Sequence, residues 1–392
     1  MTQKPVSIMK LPALIDRMST LIALPSVSCT HPDMDMSNLP VIEALADWFE
    51  RMGFAIEIQH VPNQPGKANL IATLGSGPGG LVLSGHTDTV PFNENRWNSN
   101  PLKLDQRDNK LYGLGTCDMK GFFSVVIEAV LPYLDKPLQQ PLIVLATADE
   151  ESSMSGARAL AQQGYPKARY AVIGEPTSLK PIHMHKGIMM EVVRIQGKAG
   201  HSSNPDLGNN ALEAMHSVMG ELISFRQELA SNYQNADFQV SVPTLNLGCI
   251  HGGDNPNRIC GHCELQYDLR ALPGMSNDDL RESIRQRLIP LGEQFNVKLT
   301  SEALFDGVPS FASEKTSEMV QLAEKLTGHD SEAVAFATEA PFLQQMGMDT
   351  IVLGPGSIDQ AHQPDEFMAL DQINPMVDVL RGMIENFCLQ KT

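Results

Sequence analysis

Hydrophobic positions change period several times along this chain, and each change marks an element. Over residues 12–24 and 40–52 they recur at helical spacing, which predicts two amphipathic helices. Over 54–59 and 69–74 they alternate, which predicts half-buried strands. The runs at 81–84, 141–147 and 170–173 are short and mostly apolar, as in buried strands. Residues 97–112 read as a polar loop with a short strand pair, and 122–134 as a helix.

From about residue 186 the texture changes. A strand at 187–196 and a polar loop lead to a helix over 210–228. Strands at 239–247 and 263–270, a helix at 276–288 and a strand near 295–299 follow. This β-α-β-β-α-β order predicts a split βαβ sandwich inserted into the chain. Helices at 313–326 and 340–346, a strand at 350–353 and a closing helix at 372–388 then resume the earlier alternation. The prediction is an α/β protein with one discontinuous domain over 1–185 and 300–392 and an inserted domain over 186–299.

Composition narrows the classes. A chain of 392 residues with 42% hydrophobic and 19% charged side chains is an ordinary globular protein, long enough for two domains. With 29 basic against 46 acidic groups the net charge is −17, which argues against nucleic acid or an anionic membrane as partner. No apolar run approaches a membrane span, and the N-terminus has no signal-peptide pattern. Six cysteines are too few for a disulfide scaffold at this length. The expectation is a cytoplasmic protein with reduced thiols.

The chemistry collects at the ends of predicted strands. The run ending SGHTDTVP carries His86 and Asp88, and a carboxylate two residues from a histidine can accept its second ring N–H. Asp118 lies in the glycine-flanked turn GLGTCDMKG before a helix. Glu150 and Glu151 end the 141–147 strand in ATADEE. Glu175 follows the 170–173 strand in GEPTS, and His362 lies in the loop AHQPDE. Four parallel strands would bring such lips into one crevice. Two imidazoles and several carboxylates suit Zn²⁺, Co²⁺ or Mn²⁺. Five ligands and a spare carboxylate fit two ions sharing one bridging carboxylate, with a water between them as nucleophile and the spare group moving its proton.

Together these five motifs resemble the dinuclear zinc amidohydrolase/exopeptidase family along the whole chain. The resemblance implies a zinc-exopeptidase-like α/β/α catalytic domain and an inserted ferredoxin-like domain for dimerisation or lid function. It implies that His86 and Glu175 hold one metal, Glu151 and His362 the other, and that Asp118 bridges them. By the same resemblance Glu150 is the general base and acid, Asp88 orients His86, and the Asp118–Met119 peptide is cis. His201, in GHSS, matches a histidine that reaches a partner subunit's site and stabilises the oxyanion. Asn257 and Arg270 match substrate-binding positions. The chain departs from relatives at Asn257-Arg-Ile-Cys260, where they often show Asn-x-Ile-Pro, and Arg258 is a second candidate for the substrate carboxylate beside Arg270. Glu339 is assigned, as this chain's own feature, to a substrate ammonium. The implied reaction is hydrolysis of an N-acyl amino acid. The texture around the motifs favours N-acetyl-L-ornithine, a reaction of arginine biosynthesis. Succinyl-diaminopimelate, other N-acyl amino acids and dipeptides are the alternatives.

Other readings are weaker. Residues 75–80 satisfy G-x-G-x-x-G, but Pro78 interrupts them and a strand follows where a dinucleotide site needs a helix, so an NAD-dependent oxidoreductase is a remote alternative. No G-x-S-x-G elbow and no H-E-x-x-H motif is present. The pair Cys260 and Cys263 lacks a second C-x-x-C and reads as packing, and His183 and His185 read as structural.

Overall fold

The structure is a computed structural model and describes residues 11–389. The chain divides into two compact units. Of the described residues, the first comprises 11–183, 313–332 and 338–389; the second comprises 184–312 and 333–337.

In the first unit six strands run in the order Ala55–His60, Ala68–Leu74, Leu142–Thr147, Leu81–His86, Tyr170–Ile173 and Asp349–Val352. The first three pair antiparallel, and the last four run parallel. Leu142–Thr147 and Leu81–His86 are buried at every position, because helices cover both faces of a parallel sheet. Lys120–Val130 is the central helix, apolar all round and buried except at Glu128. Its Phe122 and Val126 share one core with Met18, Leu83, Val144, Met319 and Met376. Residues 75–80 join two strands, with no helix at their end.

Two glycines let the backbone come close around this helix. A Cβ on Gly174 would lie 2.3 Å from the Phe122 ring, and one on Gly115, at φ +83°, would lie 2.8 Å from Lys120 Cε. Gly174→Ala is expected to cost about 1–3 kcal/mol of stability through overpacking. Thermal unfolding measures this, and an unchanged midpoint would contradict it.

The arrangement of strand ends differs from the expectation. Three adjacent parallel strands do end at His86, at the 148–151 turn and at Glu175. The fourth parallel strand is Asp349–Val352, whose loop leads to His362. Asp118 instead follows Lys110–Tyr112, part of a separate antiparallel sheet with Asp105–Arg107 and Phe367–Ala369. A three-residue strand with only its central leucine buried is too short to cross the main core.

The second unit is a four-stranded antiparallel sheet in the order Thr244–Gly252, His262–Arg270, Met189–Gln196, Lys298–Ala303. Strict alternation of burial along His262–Arg270 gives it one buried face, which packs on Ala211–Asn232 and Asn277–Gln294. Chain order and sheet order are those of a split βαβ sandwich. Cys260 and Cys263 are buried in this core. His185 is buried, with Nδ1 2.9 Å from the Lys186 carbonyl and its ring against Phe311. Several boundaries move, the 276–288 helix running on to Gln294 among them, and two of the shifts have a plain local cause. The 239–247 strand begins at Thr244, because Pro243 supplies no ladder N–H. The 313–326 helix begins at Glu318, where Ser317 Oγ accepts from Val320 N at 3.2 Å.

Candidate metal centre and its surroundings

Five side chains of the first unit converge at the strand lips. His86 Nε2 lies 3.0 Å from Asp118 Oδ1 and 3.9 Å from Glu175 Oε1. His362 Nε2 lies 2.9 Å from Glu151 Oε2 and 3.6 Å from Asp118 Oδ2. The ligand atoms of His86, Asp118 and Glu175 fall within 4.8 Å of one another, and so do those of Asp118, Glu151 and His362. Asp118 belongs to both groups and turns one oxygen toward each. The Asp118–Met119 peptide bond is cis.

Burial without neutralisation sets the electrostatics. Glu175 is held well above the usual carboxylate range by burial and then by Asp118, with His86 opposing. Glu150 is pushed well up by burial and by Glu175, and Glu151 is raised by burial and Asp118 against the pull of His362. For His86, burial opposes the charged ring, but the Asp118 hydrogen bond and the Asp88 and Glu175 charges outweigh it and raise the pKa. The Glu151 hydrogen bond lifts His362 to about 8. Glu175 Oε1 is buried without a hydrogen-bond partner among the described residues. An orphaned carboxylate oxygen beside two imidazoles and two further carboxylates is a donor set that fits divalent cations. These residues can hold metal.

Asp88 does more than expected. His86 Nδ1 donates to the Asp88 backbone carbonyl at 3.0 Å, while the Asp88 carboxylate is 3.6 Å away. The expected carboxylate–imidazole hydrogen bond is therefore replaced by a carbonyl one, which equally leaves Nε2 free for a ligand. The Asp88 carboxylate instead accepts the backbone N–H of Glu150 at 3.2 Å on Oδ1 and that of Glu151 at 3.0 Å on Oδ2. Behind them Asp149, at φ +58°, is gripped by Lys67 at 2.7 Å, Ser28 at 3.0 Å and Ser155 at 2.9 Å. Glu150 itself is half-buried, and its carboxyl has no hydrogen-bond partner among the described residues.

Glu339 is buried, at 1% exposure. Oε2 accepts from Thr147 Oγ1 at 2.8 Å, Oε1 has no partner among the described residues, and burial raises the carboxyl to about 7. A cavity of about 290 Å³ adjoins His362, lined among others by Phe92, Arg96, Trp97 and Leu114.

The remaining predicted residues belong to the second unit. His201 is exposed on a two-residue strand paired with Arg258–Ile259, and its Nδ1 accepts from Ser203 N at 3.2 Å. Nε2 is then the protonated nitrogen of the neutral ring. Arg258 pairs with Asp254 at 2.6 Å and Arg270 with Asp268 at 2.9 Å. Asn257 lies in the loop before that strand, its carbonyl accepting from Ser202 N at 3.1 Å.

Sequence reasoning missed Lys120 and Glu366. Lys120 is fully buried, donates to the Leu24 carbonyl at 2.9 Å, and is lowered to about 7 by burial. Glu366 is buried against the Asp118 loop.

The match extends to whole-chain comparisons. Residues 82–386 match the model of peptidase family M20/M25/M40, and the chain belongs to that family. It is 49% identical over 380 residues to the acetylornithine deacetylase of Photorhabdus laumondii subsp. laumondii, covering 97% of this chain and 98% of that protein. Two solved structures share the fold. An M20 family metallo-carboxypeptidase from Sulfolobus solfataricus matches with TM-score 0.75 at 16% identity, covering 96% of this chain and 99% of that one. A dinuclear metal-binding M20 peptidase from Bacillus subtilis matches with TM-score 0.67 at 14% identity, covering 95% and 98%. No helix among the described residues is long and apolar enough to cross a membrane.

Proposed function

We propose that this chain hydrolyses N-acetyl-L-ornithine to L-ornithine and acetate, as a step of arginine biosynthesis. It would use two divalent ions, with Zn²⁺ the leading candidate over Co²⁺ and Mn²⁺. The observation that carries the chemistry is Asp118, whose two oxygens face two separate imidazole–carboxylate groups. The substrate rests on the near-full-length similarity to the Photorhabdus enzyme.

In this reading His86 and Glu175 hold one ion, Glu151 and His362 the second, and Asp118 spans them. When bound, the ions would polarise the amide carbonyl and acidify a water. Glu150 takes a proton from the attacking water and delivers it to the leaving amine. Its freedom from hydrogen bonds leaves the carboxyl available for that exchange. Asp88 keeps the 150–151 backbone and the His86 ring in register. His201, protonated on Nε2, is assigned to the tetrahedral oxyanion in a partner copy's site. The reading includes a cytoplasmic homodimer formed through the second unit. Asn257 and Arg270 are assigned to the substrate, with Arg258 as the alternative carboxylate partner.

Glu339 is assigned to the ornithine ammonium on the strength of its unpartnered Oε1. Glu339→Gln is expected to raise KM for N-acetylornithine about 10-fold or more, the loss of a charged hydrogen bond, and to leave N-acetylmethionine unchanged. Equal increases for both would overturn the assignment. Ninhydrin detection of released amine across N-acetylornithine, succinyl-diaminopimelate and N-acetylmethionine tests the substrate itself. Preference for either of the latter two would replace it.

A further inference from the structure

The segment 362–366 carries His362 at one end and Glu366 at the other. Glu366 is 1% exposed, and its carboxylate meets a row of backbone donors. Oε1 accepts the N–H groups of Gly115, Cys117 and Asp118 at 3.0, 2.8 and 3.0 Å, and Oε2 accepts that of Gly115 at 3.1 Å. The backbone carbonyl of Glu366 accepts from Gly113 N at 3.0 Å. Successive N–H groups around a left-handed glycine, here Gly115, form a concave anion-binding nest. Nests of this kind hold anionic ligands; this one is filled by the protein's own carboxylate, reached across 248 residues from Asp118.

Three features make the contact more than local packing. It ends on the backbone N–H of Asp118, the residue shared by both ligand groups. It begins four residues from His362, the one ligand on an exposed loop, held at φ +60°. The same segment is tied on its other side, where Asp365 accepts from the backbone N–H of Asn98 at 2.8 Å.

We propose that Glu366 is a positioning residue for the metal centre. By filling the 113–118 nest it locks the Asp118 loop to the His362 loop, so that Oδ2 of Asp118 and Nε2 of His362 face a common ion. His86 and Glu175 follow short strands of the sheet and need no such lock. Loss of Glu366 therefore weakens the Glu151–His362 side of the centre selectively. The inference rests on the two-ion reading above. It adds a residue which touches neither ion nor substrate.

Metal-stripped parent, Glu366→Gln and Glu366→Asp are titrated with Co²⁺. Bound metal is counted by equilibrium dialysis, the visible absorption of each equivalent is recorded, and folding is checked by thermal unfolding. Gln keeps the shape and loses the charge and one acceptor; Asp keeps the charge and loses the reach, so one folded variant suffices. The expected result is a first equivalent bound as in the parent. The second should bind roughly 10–100-fold more weakly, the usual effect of removing a group that supports a ligand, with an altered spectrum. At saturating Co²⁺, kcat falls while KM for the acylated substrate holds. A folded variant that binds both equivalents with parental affinity and spectrum overturns the proposal alone. A parent that binds fewer than two overturns the two-ion reading and this inference together.

Discussion

Glu150→Gln is expected to bind both ions and unfold at the parent's temperature or above, while kcat falls by about 10²–10⁴-fold or more. The glutamine is isosteric and neutral, so it removes proton acceptance without removing packing. It also relieves repulsion, because Glu175 and Glu151 both push the Glu150 carboxyl toward its protonated form. A drop in turnover together with loss of metal would mean that Glu150 is a ligand. Survival of turnover would mean that another group is the base. Glu151→Gln is the contrasting control, since Glu151 carries the 2.9 Å contact to His362.

The second large effect comes from removing metal. A chelator is expected to abolish turnover, and the stripped chain is expected to lose stability as pH rises from 5 to 7. Burial holds Glu339 at about 7, against 4.5 when exposed. In that window the folded chain keeps protons that the unfolded chain has already released, so unfolding becomes easier at each step upward. His362, raised from 6.5 to about 8, acts in the same direction: its stabilisation is complete below 6.5 and is lost as pH climbs through 8. Each fully displaced group costs at most about 1.4 kcal/mol per pH unit. Lys120, lowered to about 7, opposes this only above that pH. Restoring Zn²⁺ at a thousand times its Kd adds about 4 kcal/mol per site and should flatten the dependence. Thermal midpoints in chelator and in Zn²⁺ across pH 5–7 measure both effects. A midpoint in chelator that rises with pH would refute the account.

What could be read in advance follows from how each feature is built. The strands ending near His86, Glu150 and Glu175 announced themselves because a strand covered on both faces is built from a short, mostly apolar run. Asp118 was found by its motif alone, since a loop hung from a three-residue strand leaves no periodic trace. The strand start at Thr244 was misplaced because residues 239–242 alternate correctly and only Pro243 breaks the ladder. Glu366 stood in the quoted motif AHQPDE, yet its partners are backbone N–H groups some 250 residues away, which carry no side-chain signature. Asp88 was read as a partner of the histidine ring. Its grip on two peptide groups belongs to the same class of hidden contact.

That grip has a cost for anyone redesigning the enzyme. Both oxygens of Asp88 are committed to consecutive peptide groups, one belonging to the proposed base and the next to a proposed ligand. Proton transfer and ion affinity are thereby geared to one another. A substitution that re-aims Glu150 through its backbone moves Glu151 as well, so variants selected for new leaving groups should surface with altered metal preference. Independent tuning of the two would have to come from the side-chain ends, or from the walls beyond Phe92 and Trp97.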